Sequence, residues 1–227
     1  MKSVPMAFRD DLGSDQLVDL LRGNIIRCVL KPGSRLVLDE LKARFGFGAS
    51  PLREALMQLV AEGLVVFEAN RGFRVAPLSK AHFDDVARVR TALDVTAVTW
   101  ALEHGSIEWE VKLVGAFHRL ASLRKASETT MEGEWSAAHR SFHSALVSGC
   151  GSPTLLQLTA SVFDHIERYI ALSVTLEGTI RDGMMEHEAI MKAALDRDLT
   201  KTLDLLHAHN RRTEDTVNAY LLENGGE

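Results

Sequence analysis

Only two cysteines, Cys28 and Cys150, occur in 227 residues, too few for a disulfide framework. No apolar run approaches the roughly 20 residues that a membrane-spanning helix needs. The first fifteen residues carry Asp10, Asp11 and Asp15 and lack the apolar core of a secretory signal. Catalytic motifs are missing as well. There is no His-Glu-x-x-His, no Glu-x-x-His pair of the kind a di-iron carboxylate bundle repeats, and no serine or cysteine in a recognisable nucleophile frame. Internal repeats and low-complexity tracts are absent, and beyond residue 79 no run has strand character. These absences count against a secreted disulfide scaffold, a membrane protein and the common hydrolases. The expected compartment is the cytoplasm.

Charge is scarce in one sense only. The net of −5 divides unevenly: residues 1–78 hold 11 Lys and Arg against 9 Asp and Glu, and residues 79–227 hold 15 against 22. A surface compatible with phosphates therefore belongs to the first part. A length of 227 residues suits two domains, each with its own core.

The stretch from Pro32 to Pro77 carries the most information. Asp39 is placed to cap a short helix that Gly46 ends, and Ser50 to cap the next, with Pro51 in its first turn. Leu52, Leu56, Leu59 and Val60 form an apolar stripe, leaving Ser50, Arg53, Glu54 and Met57 outward. Gly63 closes this helix. Val65-Val66-Phe67 and Phe73-Arg74-Val75 then flank Asn70-Arg71-Gly72, a hairpin pattern. Two helices and a basic-tipped wing make a device for entering a DNA groove.

Over roughly residues 12 to 78 these motifs (Pro32-Gly33-Ser34-Arg35-Leu36, Ser50-Pro51-Leu52-Arg53-Glu54-Ala55-Leu56, Glu62-Gly63-Leu64-Val65 and Arg71-Gly72-Phe73-Arg74-Val75) resemble the winged-helix domain of GntR-family bacterial regulators. The resemblance implies that Arg53 is a recognition-helix arginine. Arg35, Ser50, Arg71 and Arg74 are further candidates, for phosphate contact or simply as solvated groups. The chain departs from the family at Gly48-Ala49, where Ser-Arg is usual. A missing bidentate guanidinium removes about 1–3 kcal/mol of base discrimination, so the operator sequence is its own.

From Ser79 onward the chain reads as helices near 80–104, 107–126, 130–148, 153–174, 177–196 and 198–222, with Leu155, Leu158, Val162, His165, Ile166 and Ile170 along one core-facing stripe. The predicted fold is thus mainly α: a winged helix-turn-helix over 1–78 and an antiparallel all-α bundle over 79–227. Three patterns in the bundle resemble the FCD domain of the FadR branch: Arg88-Val89-Arg90-Thr91-Ala92-Leu93-Asp94, Phe142-His143-Ser144-Ala145-Leu146, and Glu186-His187-Glu188-Ala189-Ile190 with His209 following His187 by 22 residues. The resemblance implies a homodimer that binds a small carboxylate effector and thereby changes its affinity for a pseudo-palindromic DNA operator.

His139 and His143, four apart on one helix, share a face with Cβ atoms about 5–6 Å apart, close enough to grip one ion. The resemblance adds His187 and His209 and implies a divalent transition metal, with zinc or nickel favoured. Where metal-binding members usually have aspartate, this chain has His139, which either ligates or lines the pocket. Periodicity alone does not choose between His207 and His209. Arg90 either meets an effector carboxylate or pairs with Asp94 at the surface. A histidine-metal bundle enzyme and a winged-helix protein-interaction module are the alternatives, separable by turnover assays and by DNA mobility shift. The sequence favours a metabolite-responsive regulator, most simply a repressor.

Overall fold

Residues 14–124, 132–177 and 183–223 are described by the computed structural model, and their contacts divide them between Ser79 and Lys80. Each unit has its own hydrophobic core. In the first, α1 (Ser14–Ile26), α2 (Leu38–Phe45) and α3 (Ala49–Ala61) accompany an antiparallel sheet of β1 (Arg35–Leu36), β2 (Val65–Glu68) and β3 (Gly72–Val75), ordered β1-β3-β2. α3 buries Leu52, Ala55, Leu56 and Leu59, a spacing of three and four, while Ser50, Arg53, Glu54 and Met57 remain exposed. Val60 is only partly covered. Arg22 of α1 holds Glu62, just past α3, through hydrogen bonds of 2.9 and 2.7 Å. That bidentate grip fixes the angle at which α3 is presented.

Several local expectations change. Asp39 is not a cap, because α2 starts at Leu38 after Val37, which caps without a side-chain bond. Ser50 is not a cap either: Gly48 holds that position, and the Ser50 hydroxyl bonds Glu54 instead, at 3.1 Å. Pro51 still lies in the first turn, where its missing N–H costs nothing. Gly46 does end α2, at φ 78°, a conformation that costs glycine nothing. A third strand, β1, joins the hairpin, pairing Leu36 with Phe73 and Arg35 with Arg74. Two residues carry too little periodicity to announce a strand.

The second unit contains α4 (Lys80–His104), α5 (Ile107–Arg124), α6 (Glu132–Val147), a 3₁₀ turn (Ser148–Cys150), α7 (Pro153–Glu177), α8 (Met184–Leu195) and α9 (Leu199–Glu223). α4 packs on α7 and α9, and α5 on α6 and α8. The helix expected from 177 is described only from Met184, since 178–182 lie outside the described residues. On α7 the expected stripe holds at Leu155 and Ile166, which are buried, and fails at Leu158. Leu158 is half exposed, and the covered face runs through Phe163, Asp164, Ile166, Glu167, Arg168 and Tyr169. Charges sit on that face because they are matched: Arg140 of α6 pairs with Asp164 and Glu167, and Ser136 also donates to Glu167.

Trp109 ties three helix ends together. Its Nε1–H donates to the Ala145 and Leu146 carbonyls, 3.0 and 3.1 Å away, in the last turn of α6 where intrahelical donors run out. The Arg197 guanidinium stacks 4.7 Å from the indole and donates to the Leu102 and Gly105 carbonyls at the end of α4, both at 2.8 Å. Gly105 and Gly149 lie so close that a Cβ on either would come within 3 Å of the ring.

Candidate functional site: a four-histidine centre

Four imidazoles converge inside the helical unit. His139 and His143 occupy the covered stripe of α6 beside Ala138, Phe142 and Leu146, positions where an apolar residue would otherwise complete the core. His187 enters from α8 and His209 from α9. All four are buried, and one donor nitrogen from each lies within 4.8 Å of every other. His207, two residues before His209, is not part of the cluster. The Nε2 atoms of His139 and His143 are 3.2 Å apart. Two ring nitrogens this close either share one proton or aim both lone pairs at one cation. Tetrahedral bonds of about 2.0–2.1 Å set ligand nitrogens roughly 3.3 Å apart, so this pair already has that spacing.

The electrostatics suit a cation. Burial lowers the pKa of His139 and His143 well below the ordinary histidine range, and the neighbouring imidazoles and Arg90 lower both further. Both rings are therefore neutral near pH 7, the form that ligates. His209 Nδ1 lies 2.8 Å from a Glu186 carboxylate oxygen, and Arg212 lies 2.5 Å from the other oxygen. A carboxylate on Nδ1 places the proton there and leaves Nε2 as the donor. Trp135 stacks on His139 at 4.8 Å and 11°, which holds that ring in orientation. The four residues fit a divalent transition metal. No carboxylate belongs to the set, so such an ion would keep its full positive charge and attract an anionic oxygen.

A cavity of about 150 Å³ reaches the cluster at His143, and its wall includes Arg90, Asp94, Arg140 and Phe163. Arg90 is no surface ion pair. It is 8 % exposed, lies 3.4 Å from Asp94 and faces the Phe163 ring at 5.5 Å. Asp94 also accepts a 3.0 Å hydrogen bond from Asn210, while burial holds its carboxyl above the usual range. Arg140 and Trp135 were not singled out from the sequence, and Glu186 entered only as part of the Glu186-His187 pattern, without a role. The complementary charges of Arg140, Asp164 and Glu167 at covered helix positions were the available clue.

In the first unit, Arg35, Arg53 and Arg71 line one groove of about 320 Å³ between α3 and the wing, and all three are exposed. Ser50 is exposed on the same helix. Arg74 is committed elsewhere, to the Gly33 carbonyl and to Glu68. That commitment also explains how Arg35 and Arg74 tolerate being cross-strand neighbours.

Comparison with known proteins bears on both units. The model of bacterial regulatory proteins of the gntR family matches residues 14–75, and the FCD domain model matches residues 85–212. The HTH-type transcriptional regulator BphR of Paraburkholderia xenovorans is 36% identical over 195 residues, covering 83% of this chain and 78% of that protein. The HTH-type transcriptional repressor GlaR of Escherichia coli is 35% identical over 195 residues, covering 83% and 88%. The solved structure of Escherichia coli McbR/YncC aligns with a TM-score of 0.79 over 96% of this chain and 99% of that one, at 19% identity. That last likeness is one of fold.

Proposed function

Because the chain belongs to the gntR family of bacterial regulatory proteins and carries an FCD domain, we propose that it acts as a homodimeric repressor whose helical unit binds a small carboxylate beside a divalent metal. The chain is a transcriptional regulator and not an enzyme. DNA binding is assigned to residues 1–78, and effector binding and dimerisation to 79–227. The relative GlaR, named a repressor, supports that direction. Among the described residues no helix is long and apolar enough to cross a membrane, and the proposed compartment is the cytoplasm.

The observation that carries the sensing half is the four buried imidazoles opening at His143 into a cavity walled by Arg90. His139, His143, His187 and His209 would hold the ion, which supplies a Lewis-acidic site for a carboxylate oxygen. Arg90 offers a planar donor fork to the same group. An effector that binds one conformation better shifts operator affinity, typically by about 1–3 kcal/mol. Thermal-shift screening of mono-, di- and hydroxy-acids, followed by mobility shift with the hits, tests this. Hits that stabilise the protein yet leave DNA affinity unchanged would remove the switch.

On DNA, a two-fold dimer matches a pseudo-palindrome with one α3 in each half-site. Arg53→Ala is expected to weaken operator binding by about 1–3 kcal/mol if Arg53 reads a base. If it meets phosphate, the loss is instead equal on all sequences and the salt slope becomes shallower. Unchanged binding to operator and random DNA alike would sink the assignment.

His139 and His143 also set a pH dependence. Their folded-state pKa values lie below those of the unfolded chain, about 6.5. As pH falls through 6.5 the unfolded chain takes up protons first, so stability present above that pH is lost below it. Asp94 and Glu167, held above their ordinary values by burial, act in the opposite sense. Chelator-treated protein should therefore unfold at lower urea concentration at pH 5.5 than at pH 7.5, and a flat profile would contradict neutral buried rings.

A further inference from the structure

Phe67 is out of place for a residue of its kind. Leu36, Phe73 and Phe67 stand side by side across β1, β3 and β2 and share one face of the sheet. The first two are buried, but Phe67, at the outer end of the row, is 48 % exposed. Its ring rests on Phe73 with centroids 5.1 Å apart, so it is braced from behind and bare in front. The groove it lines is the one that holds Arg35, Arg53 and Arg71, and exposed Val37 joins it there. Among the described lining residues Asp39 is the sole acid, and Lys42 pairs with it at 3.3 Å. An apolar surface framed by three cations calls for an anionic partner that also presents an apolar group. Duplex DNA has one on its major-groove edge, the C5-methyl of thymine, which no other base carries.

We propose that Phe67 reads a thymine in each half-site by packing its ring on that methyl group, while the flanking arginines supply the charge. The proposal rests on the assignment of α3 and the wing to DNA and adds a residue that discriminates among sequences. α3 is the element that enters the major groove, and β2 packs against it, which brings Phe67 to the same edge of the duplex as Arg53. An apolar contact releases no counterion, so Phe67 contributes specificity without salt dependence.

The test uses the full-length protein, an operator selected by it from random duplex DNA, and affinities read by fluorescence anisotropy. Each thymine is replaced in turn by deoxyuridine, which pairs in the same way and lacks only the methyl group. One position in each half-site is expected to lose about fourfold, as burial of a single methyl group implies. Phe67→Ala should bind the unsubstituted operator at least that much more weakly and accept deoxyuridine at the same position without further loss. Its affinity for random DNA and its salt slope should stay as they are, which also shows that the variant is folded. Phe67→Leu, with an apolar side chain kept on the strand, should retain part of the preference for thymine. If no thymine responds to loss of its methyl group in the unaltered protein, the proposal falls and DNA binding through α3 stands. A response that survives Phe67→Ala unchanged overturns it as well. If selection enriches no sequence at all, the reading of Phe67 and the assignment of this groove to an operator fall together.

Discussion

Untagged protein is expected to carry close to one divalent transition-metal ion per chain, and His143→Ala and His187→Ala are each expected to remove most of it. The expected loss of affinity exceeds roughly 100-fold, because even a residue that merely orients a ligand is worth about 10–100-fold. Truncating either histidine removes a donor and also leaves a gap between rings that now brace one another, with centroids 4.5 Å apart for His187 and His209 and 4.6 Å for His139 and His143. Glu186→Gln should fall in the smaller range, since it disturbs only the tautomer of His209. His139→Ala discriminates: a loss like that of His143→Ala makes His139 a ligand, and retained metal makes it a wall. An all-imidazole set favours zinc, nickel or copper over magnesium or manganese, which prefer oxygen donors. Elemental analysis of protein never exposed to chelator, if it finds no stoichiometric ion, would leave these histidines as core residues.

Trp109→Ala should be the most damaging single substitution in the helical unit, costing about 3–5 kcal/mol for the truncated core side chain alone. For a chain of this size that is a fall in melting temperature of roughly 6–20 °C. Two further losses add to it. The Ala145 and Leu146 carbonyls lose their donor, and Arg197 loses the surface on which it stacks while it holds the end of α4. Trp109→Phe should be milder, keeping most of the packing and forfeiting about 0.5–1.5 kcal/mol with the hydrogen bond. Gly149→Ala probes the same contact from the other side. Its Cβ would stand 2.9 Å from the indole, and overpacking of this kind costs about 1–3 kcal/mol. Chemical denaturation of the four proteins should order them accordingly, and a Trp109→Ala variant as stable as the parent would refute the account.

The sequence was most legible where backbone chemistry is local. Gly46 and the leucines of α3 announce themselves through φ and period, and the helices of the second unit follow from spacing and punctuation. Capping was less legible, because Asp39 and Ser50 have the right chemistry yet Val37 and Gly48 take those positions. A side chain can serve either as a cap or within the first turn, and sequence does not separate these by one or two residues. β1 was invisible since its two residues become a strand only by pairing with β3. At the centre, the i, i+4 spacing of His139 and His143 was readable from helix geometry. His209 over His207 depended on resemblance, and the structure places His209 with the others. The covered charges of α7 were missed for a plain reason: Asp164 and Glu167 are tolerable inside when Arg140 pairs with both, and that partner comes from another helix.

The stacking of Trp135 on His139 has an optical side. An indole 4.8 Å from an imidazole and nearly parallel to it shares that ring's electronic surroundings. Its emission must respond when charge is drawn from the imidazole, and must respond differently to open-shell nickel or copper, which quench, than to closed-shell zinc, which does not accept an electron. Trp100 and Trp109 are the other two indoles in the chain, and neither is among the rings that surround the cluster. The protein thus carries a native fluorophore against the candidate centre, and filling of that centre can be followed in real time without a label.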